Sequence, residues 1–164
     1  MMRALTALLV MIMSLTLGSP AQAQSYDTPK ALVEAIYQPY QNRQRHIDLS
    51  IFYSQGLKTL FAQRADQERA DGQATPQSDL GILEFNPFVE GDNYLLFDLV
   101  ISEPLVIGDT AIVAVSFHNF DHPSLLSLSL RREAGGWKVD DVASMGGEEH
   151  WLLSWLLSND PYVL

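Results

Sequence analysis

Three groups of side chains in this chain have the types and spacing to do chemistry. Asp140 and Asp141 are adjacent carboxylates in the run Trp137-Lys138-Val139-Asp140-Asp141-Val142. On a strand, neighbours point to opposite faces, so the two cannot share one site. If Trp137 and Val139 face a helical layer, alternation sends Asp141 inward with them and Asp140 outward with Lys138. An inward carboxylate among aromatic rings has a raised pKa and can serve as a general base. The plainer role for Asp141 is to cap a turn or a helix end. His118, Asp121 and His122 form the second group, within His118-Asn119-Phe120-Asp121-His122-Pro123. Such residues bind zinc or move protons. Here they fall in a hairpin loop without a third or fourth ligand nearby, which favours a polar turn. Tyr37, Tyr40 and Tyr53 are the third group. Each offers an apolar ring and a polar tip, and they suit the lining of a ligand pocket or the packing of amphipathic helices equally well. His46 and His150 stand alone in polar or helix-start contexts. No nucleophile elbow, phosphate loop or metal-ligand spacing is present, so no metal and no cofactor is expected.

These groups must be held by a small exported domain. Met1-Met2-Arg3 is a short positive start, Ala4 to Leu17 carries no charge, and Ala21-Gln22-Ala23 places small residues where a signal peptidase reads them. That order is a secretory signal peptide over residues 1–23. The apolar run is shorter than the ~20 residues of a membrane span. Cleavage after Ala23 leaves residues 24–164 as one domain, placed in the periplasm or secreted. The chain has no cysteine, so neither a disulfide nor a lipidated Cys supports it. The formal charge is −10, with 10 Lys+Arg against 20 Asp+Glu; losing Arg3 makes it 9 − 20 = −11. Nucleic acid is excluded as a partner for lack of a basic footprint. The charge favours a basic protein or a cationic ligand.

The elements follow from periodicity. Thr28-Pro29 opens a helix carrying Leu32, Val33, Ile36, Tyr37 and Tyr40 at helical spacing, with Pro39 in its last turn. A second helix begins near Asp48 or Ser54, and Leu57, Leu60 and Phe61 form its stripe. Asn86-Pro87 marks a turn. From Tyr94 the period becomes two. Strands are expected over Tyr94–Ile101, Thr110–Phe117, Ser124–Arg131 and Trp137–Ala143, joined by turns at Gly108-Asp109 and Ala134-Gly135-Gly136. A closing helix over Glu148–Leu157 is apolar almost all round. Trp151 and Trp155 on it are candidates for a partner surface. The result is an α+β domain, with helices packed on one face of a four-stranded antiparallel sheet and a short C-terminal helix.

Tyr37-Gln38-Pro39-Tyr40, Tyr53-Ser54-Gln55-Gly56-Leu57, Phe85-Asn86-Pro87-Phe88 and the Gly136-Trp137-Lys138-Val139-Asp140-Asp141-Val142 strand, in that order, give a further indication. Together they resemble a bacterial periplasmic family of unknown function, grouped with the nuclear transport factor two-like, or cystatin-like, superfamily. The resemblance spans most of residues 28–157. It departs from the family pattern at Asn86, where an acidic residue often precedes the proline. It implies a cone-shaped domain whose curved sheet wraps the helices, with a pocket possible at the wide end. The superfamily holds steroid isomerases, dehydratases and many members without catalysis, so fold alone does not assign function. The expected role is a non-catalytic module that binds a protein or small ligand, with an inhibitor or immunity type as one form. The alternatives are a small hydrolase or isomerase using Asp141 as base, and an envelope-assembly subunit docking through Trp151 or Trp155. Ile112, Ala114 and Ser116 make a smooth outer sheet face, of the kind that the resemblance implies can pair two copies in a homodimer.

Overall fold

The computed structural model describes residues 25–44, 48–70, 83, 85–147 and 150–159. The signal-peptide residues 1–23 and His46 lie outside the described residues. The first helix, α1 (Pro29–Gln41), starts as its sequence requires. Thr28 Oγ1 accepts the Ala31 N–H at 3.1 Å, and Pro29 occupies the first helical position where no donor is needed. Its buried stripe is Leu32, Val33, Ile36, Tyr37 and Tyr40. The ambiguity between Asp48 and Ser54 as the next helix start resolves into two elements. Asp48 caps a 3₁₀ turn, Leu49–Phe52, by accepting the Ser50 N–H. Ser54 then caps α2 (Gln55–Ala70), its Oγ accepting the Leu57 N–H at 3.0 Å.

The sheet has five strands: β1 (Leu96–Ile101), β2 (Leu105–Ile107), β3 (Thr110–Asn119), β4 (His122–Glu133) and β5 (Gly136–Ser144). All pairs are antiparallel, in the order β1-β3-β4-β5, with β2 also on β3. The sequence pattern had suggested four. The extra one, β2, is three residues long and follows Pro104. It is too short to show a period, and it exists because Gly108, at φ 59°, turns it back onto β3.

The inner face carries Val113, Val115 and Phe117 of β3, Leu126, Leu128 and Leu130 of β4, and Trp137, Val139 and Val142 of β5. It packs on α1, the start of α2, and α3 (Leu153–Ser158) through Leu153 and Leu157. The closing helix is shorter than its apolar run: Trp151 precedes it in extended backbone, and its carbonyl accepts the Ser144 N–H at 2.9 Å beside β5. At the other end of β5, Gly136 has φ 96°, and a Cβ there would lie 2.6 Å from the Tyr26 carbonyl. That close approach lets the Trp137 N–H donate to Tyr26 O at 2.9 Å, tying the N-terminal leader to the last strand.

Candidate functional site: an apolar sheet face with an acidic surround

The strand that carries the paired carboxylates is irregular at just that point. Val139 pairs with Leu130 and Asp141 pairs with Ser129, so Asp140 is one residue too many for the ladder. A bulge of this kind reverses the inward and outward alternation beyond it. Val142, not Asp141, therefore points into the core beside Leu128. The inward placement expected for Asp141 is corrected: it lies on the Ser129 side. There it accepts the N–H of Ser154 at 3.0 Å and its hydroxyl at 2.5 Å, as well as the Val142 N–H at 2.8 Å. Leu152, the N-cap of α3, has no capping side chain. Asp141 supplies the missing acceptor from the neighbouring strand.

Asp140, the carboxylate that simple alternation sends outward, reaches the start of α2. It accepts the Ser54 hydroxyl at 2.7 Å and two donors of the Arg131 guanidinium at 3.0 and 2.9 Å. Burial alone would raise its pKa. The Arg131 and Ser54 hydrogen bonds and the guanidinium charge outweigh burial, and the group sits below its ordinary value. Ser54 is fully buried; its Oγ accepts the Leu57 N–H while its hydroxyl donates to Asp140, and Glu133 accepts the Gln55 N–H at 2.9 Å, which together serve the first turn of α2.

The three tyrosines are packed rather than arrayed around a described opening. Tyr37 is fully buried against Phe117 and Tyr40, and its hydroxyl has no hydrogen-bond partner among the described residues. Tyr40 sits edge-on to Tyr94, and its hydroxyl pairs with the Asn86 side chain, whose amide donates at 2.8 Å. Tyr53 stacks on Phe61 at 5.1 Å and more loosely on Phe88. Burial raises the pKa of all three phenols, which keeps them protonated at neutral pH. The Asn86 turn thus serves Tyr40: Asn86 Oδ1 also accepts the Phe88 N–H at 3.0 Å.

The histidines separate. His118 Nδ1 lies 3.5 Å from Asp98 of β1, while His122 Nδ1 is 2.6 Å from Asp121. No group of three or more metal-ligating side chains forms among the described residues. Of the two tryptophans, Trp151 packs edge-on against Phe85 with centroids 5.2 Å apart, and Trp155 is 52 % exposed.

Among the described residues, the outer face of the sheet remains open. Their helices pack on the inner side or at its edge. Register places Leu105, Ile112 and Ser129 in one outer row, and Val100, Ser116 and Leu125 in another. The apolar side chains concentrate on β1, β2 and the flanking side of β3. Phe97, Val100, Leu105, Ile107 and Ile112 are all exposed, Ile107 to 71 %. Apolar residues left exposed together in this way, among the described residues, make a candidate interaction surface.

A charge signal in the sequence coincides with this patch. Residues 70–130 contain nine Asp and Glu and neither Lys nor Arg, a formal charge of −9. The rest of the chain holds the other 11 acids and all 10 bases, a charge of −1. Four of these nine acids, and no Lys or Arg, fall in the segment from Leu96 to Leu130 that forms β1, β2, β3 and most of β4. Asp98, Glu103, Asp109 and Asp121 flank the apolar residues there. Lys30 reaches Glu103 from α1, and Arg132 lies 3.9 Å from Asp109. Asp98 and Asp121 face only the histidines among the ion pairs of the described residues.

No helix among the described residues is long and apolar enough to cross a membrane. No family model matches the chain, and no curated protein matches it. The chain is similar in structure to a chain of the type VI native effector-immunity complex Tae3-Tai3 from Ralstonia pickettii, over 76 % of its own length and 100 % of that chain, at 18 % identity and a TM-score of 0.42.

Proposed function

We propose that this protein is an exported, non-catalytic binding module that holds a basic protein through the outer face of its sheet. The observation that carries the reading is that the exposed apolar residues of β1 to β3 are flanked by Asp98, Glu103, Asp109 and Asp121, with neither Lys nor Arg between Leu96 and Leu130. An apolar centre supplies affinity through burial, and a surround of one sign selects a partner of the other. Acidity spread evenly would speak only for solubility; concentration around one apolar patch speaks for recognition. An inhibitor or immunity type of role is one form that such a module takes. The periplasm is its proposed location, and the cone-shaped superfamily its proposed fold relationship.

The polar groups support this over an enzyme. Asp141 and Asp140 each hold a helix start, and the tyrosine hydroxyls lie in the core. A homodimer is the second reading. It is favoured by the small residues Ala114, Ser116, Ser127 and Ser129 at the middle of the outer face, where another sheet could approach closely.

The test is isolation of the chain from its native envelope fraction, followed by light scattering and identification of any stoichiometric companion. The expected result is a one-to-one complex with a basic protein, dissociated by salt and lost in Ile107→Lys. A chain that elutes alone as a monomer overturns both readings. A two-fold dimer of the chain, itself lost in Ile107→Lys, establishes the second.

A further inference from the structure

The backbone is strained at one end of the apolar face. Among the described residues, four non-glycine residues have positive φ: Arg43 at 55°, Glu90 at 54°, Asp98 at 53° and Phe120 at 55°. Three of them surround Asn119. Its side chain accepts the Leu95 N–H at 2.9 Å and donates to the carbonyls of Val89 and Asn93 at 2.9 and 3.2 Å. Glu90 lies within the stretch held by those carbonyls, Asp98 forms the irregularity in β1, and Phe120 follows Asn119 directly. Asp tolerates the left-handed region. A bulky aromatic there is a true outlier, in a turn position that glycine or asparagine would fill at no cost.

Phe120 is the first residue of the two-residue turn between β3 and β4, is 50 % exposed, and makes no ring contact with another aromatic among the described residues. The turn is tied to the β1 approach, because the Phe120 N–H donates to Leu95 O at 3.0 Å and Asn119 is anchored as above. Phe97 is exposed on the same end of the face, two ladder positions from the turn. Glu90, Asp92, Asp98 and Asp121 are the acids near this end in the chain, and His118 and His122 lie beside Asp98 and Asp121. A backbone conformation that the residue type disfavours is characteristic of recognition sites, and buried aromatic anchors dominate protein interfaces.

We infer that the Phe120–Asp121 hairpin tip is the anchor of the interface: Phe120 enters an apolar pocket on a basic protein, and the carboxylates of Asp98 and Asp121 meet the Lys or Arg residues around that pocket. This rests on the proposed function and adds which residue carries it. Pre-organisation by Asn119 means that little ordering is required of the tip on binding.

The experiment uses a displayed library of random dodecapeptides panned on the chain, with three proteins compared: the wild type, Phe120→Gly and Ile107→Ser. The expected result is enrichment of peptides that combine Lys or Arg with large apolar residues. Their affinity should fall at least tenfold in Phe120→Gly, and fall less in Ile107→Ser. Phe120→Gly should also unfold at a higher temperature than the wild type, because glycine relieves the positive φ. Cationic peptides that bind Phe120→Gly as well as the wild type overturn the anchor and leave the basic-partner reading standing. A library without cationic enrichment overturns both. A lower melting temperature for Phe120→Gly shows that the ring serves the fold and overturns the anchor.

Discussion

Replacing Asp140 by alanine tests whether the bulge carboxylate, rather than its neighbour, holds the helical layer to the last strand. The substitution removes the acceptor of the Ser54 hydroxyl and both Arg131 contacts. A hydrogen bond to a charged group contributes about 1.5–3 kcal/mol. Arg131 is half exposed and rehydrates on losing its partner, so its pair adds little. Ser54 retains its capping contact to the Leu57 N–H. The expected loss is therefore about 2 kcal/mol, toward the low end of the hydrogen-bond range. With an m-value of about 2 kcal/mol/M, the urea midpoint should move down by about 1 M. The pH dependence gives the sharper check. The folded-state pKa of Asp140 is depressed, so its contribution is complete above the ordinary carboxylate value and disappears as pH falls through the lower folded value. Wild type and Asp140→Ala should thus differ fully at pH 7 and pH 5 and converge only below about pH 4. Tryptophan fluorescence in urea at several pH values measures the difference. A gap below about 0.5 kcal/mol, or one unchanged under strongly acidic conditions, refutes the argument that the charged hydrogen bonds do this work.

Two further substitutions probe the same frame. Trp137 is 1 % exposed with the Arg132 guanidinium 4.9 Å from its ring centroid, and Trp137→Ala should cost about 3–5 kcal/mol; an unchanged denaturation midpoint would mean that the ring contributes no packing. Asp141→Ala leaves the first turn of α3 without its acceptor, at a cost of about 1 kcal/mol, and should loosen α3 locally. Faster amide exchange over residues 153–158 in that variant is the expected signature, and uniform exchange across the chain would show that α3 does not depend on the strand for its cap.

Much of the architecture was legible because it depends on local chemistry. Thr28-Pro29 announces α1 through a cap and a missing donor. The alternation of Val113, Val115 and Phe117, and of Leu126, Leu128 and Leu130, defines two strands and their buried face without knowledge of any partner. The block of acids between Ala70 and Leu130 was also there to be read, but its meaning needs the fold. Counted along the chain it is only net charge; in the fold, four of its members, Asp98, Glu103, Asp109 and Asp121, flank an apolar face.

The roles of Asp140 and Asp141 depended on tertiary structure. Period-two alternation assumes one residue per ladder position, and nothing local in Val139-Asp140-Asp141-Val142 reveals that β5 has one residue more than β4 requires. The bulge arises because Val139 and Val142 must both face the core while Asp140 meets Ser54 on α2, a constraint set by a residue 86 positions away. The same holds for Phe120. Its residue type suggests a core position, and only the closed hairpin, with Asn119 holding three distant backbone groups, puts that ring in solvent at a positive φ.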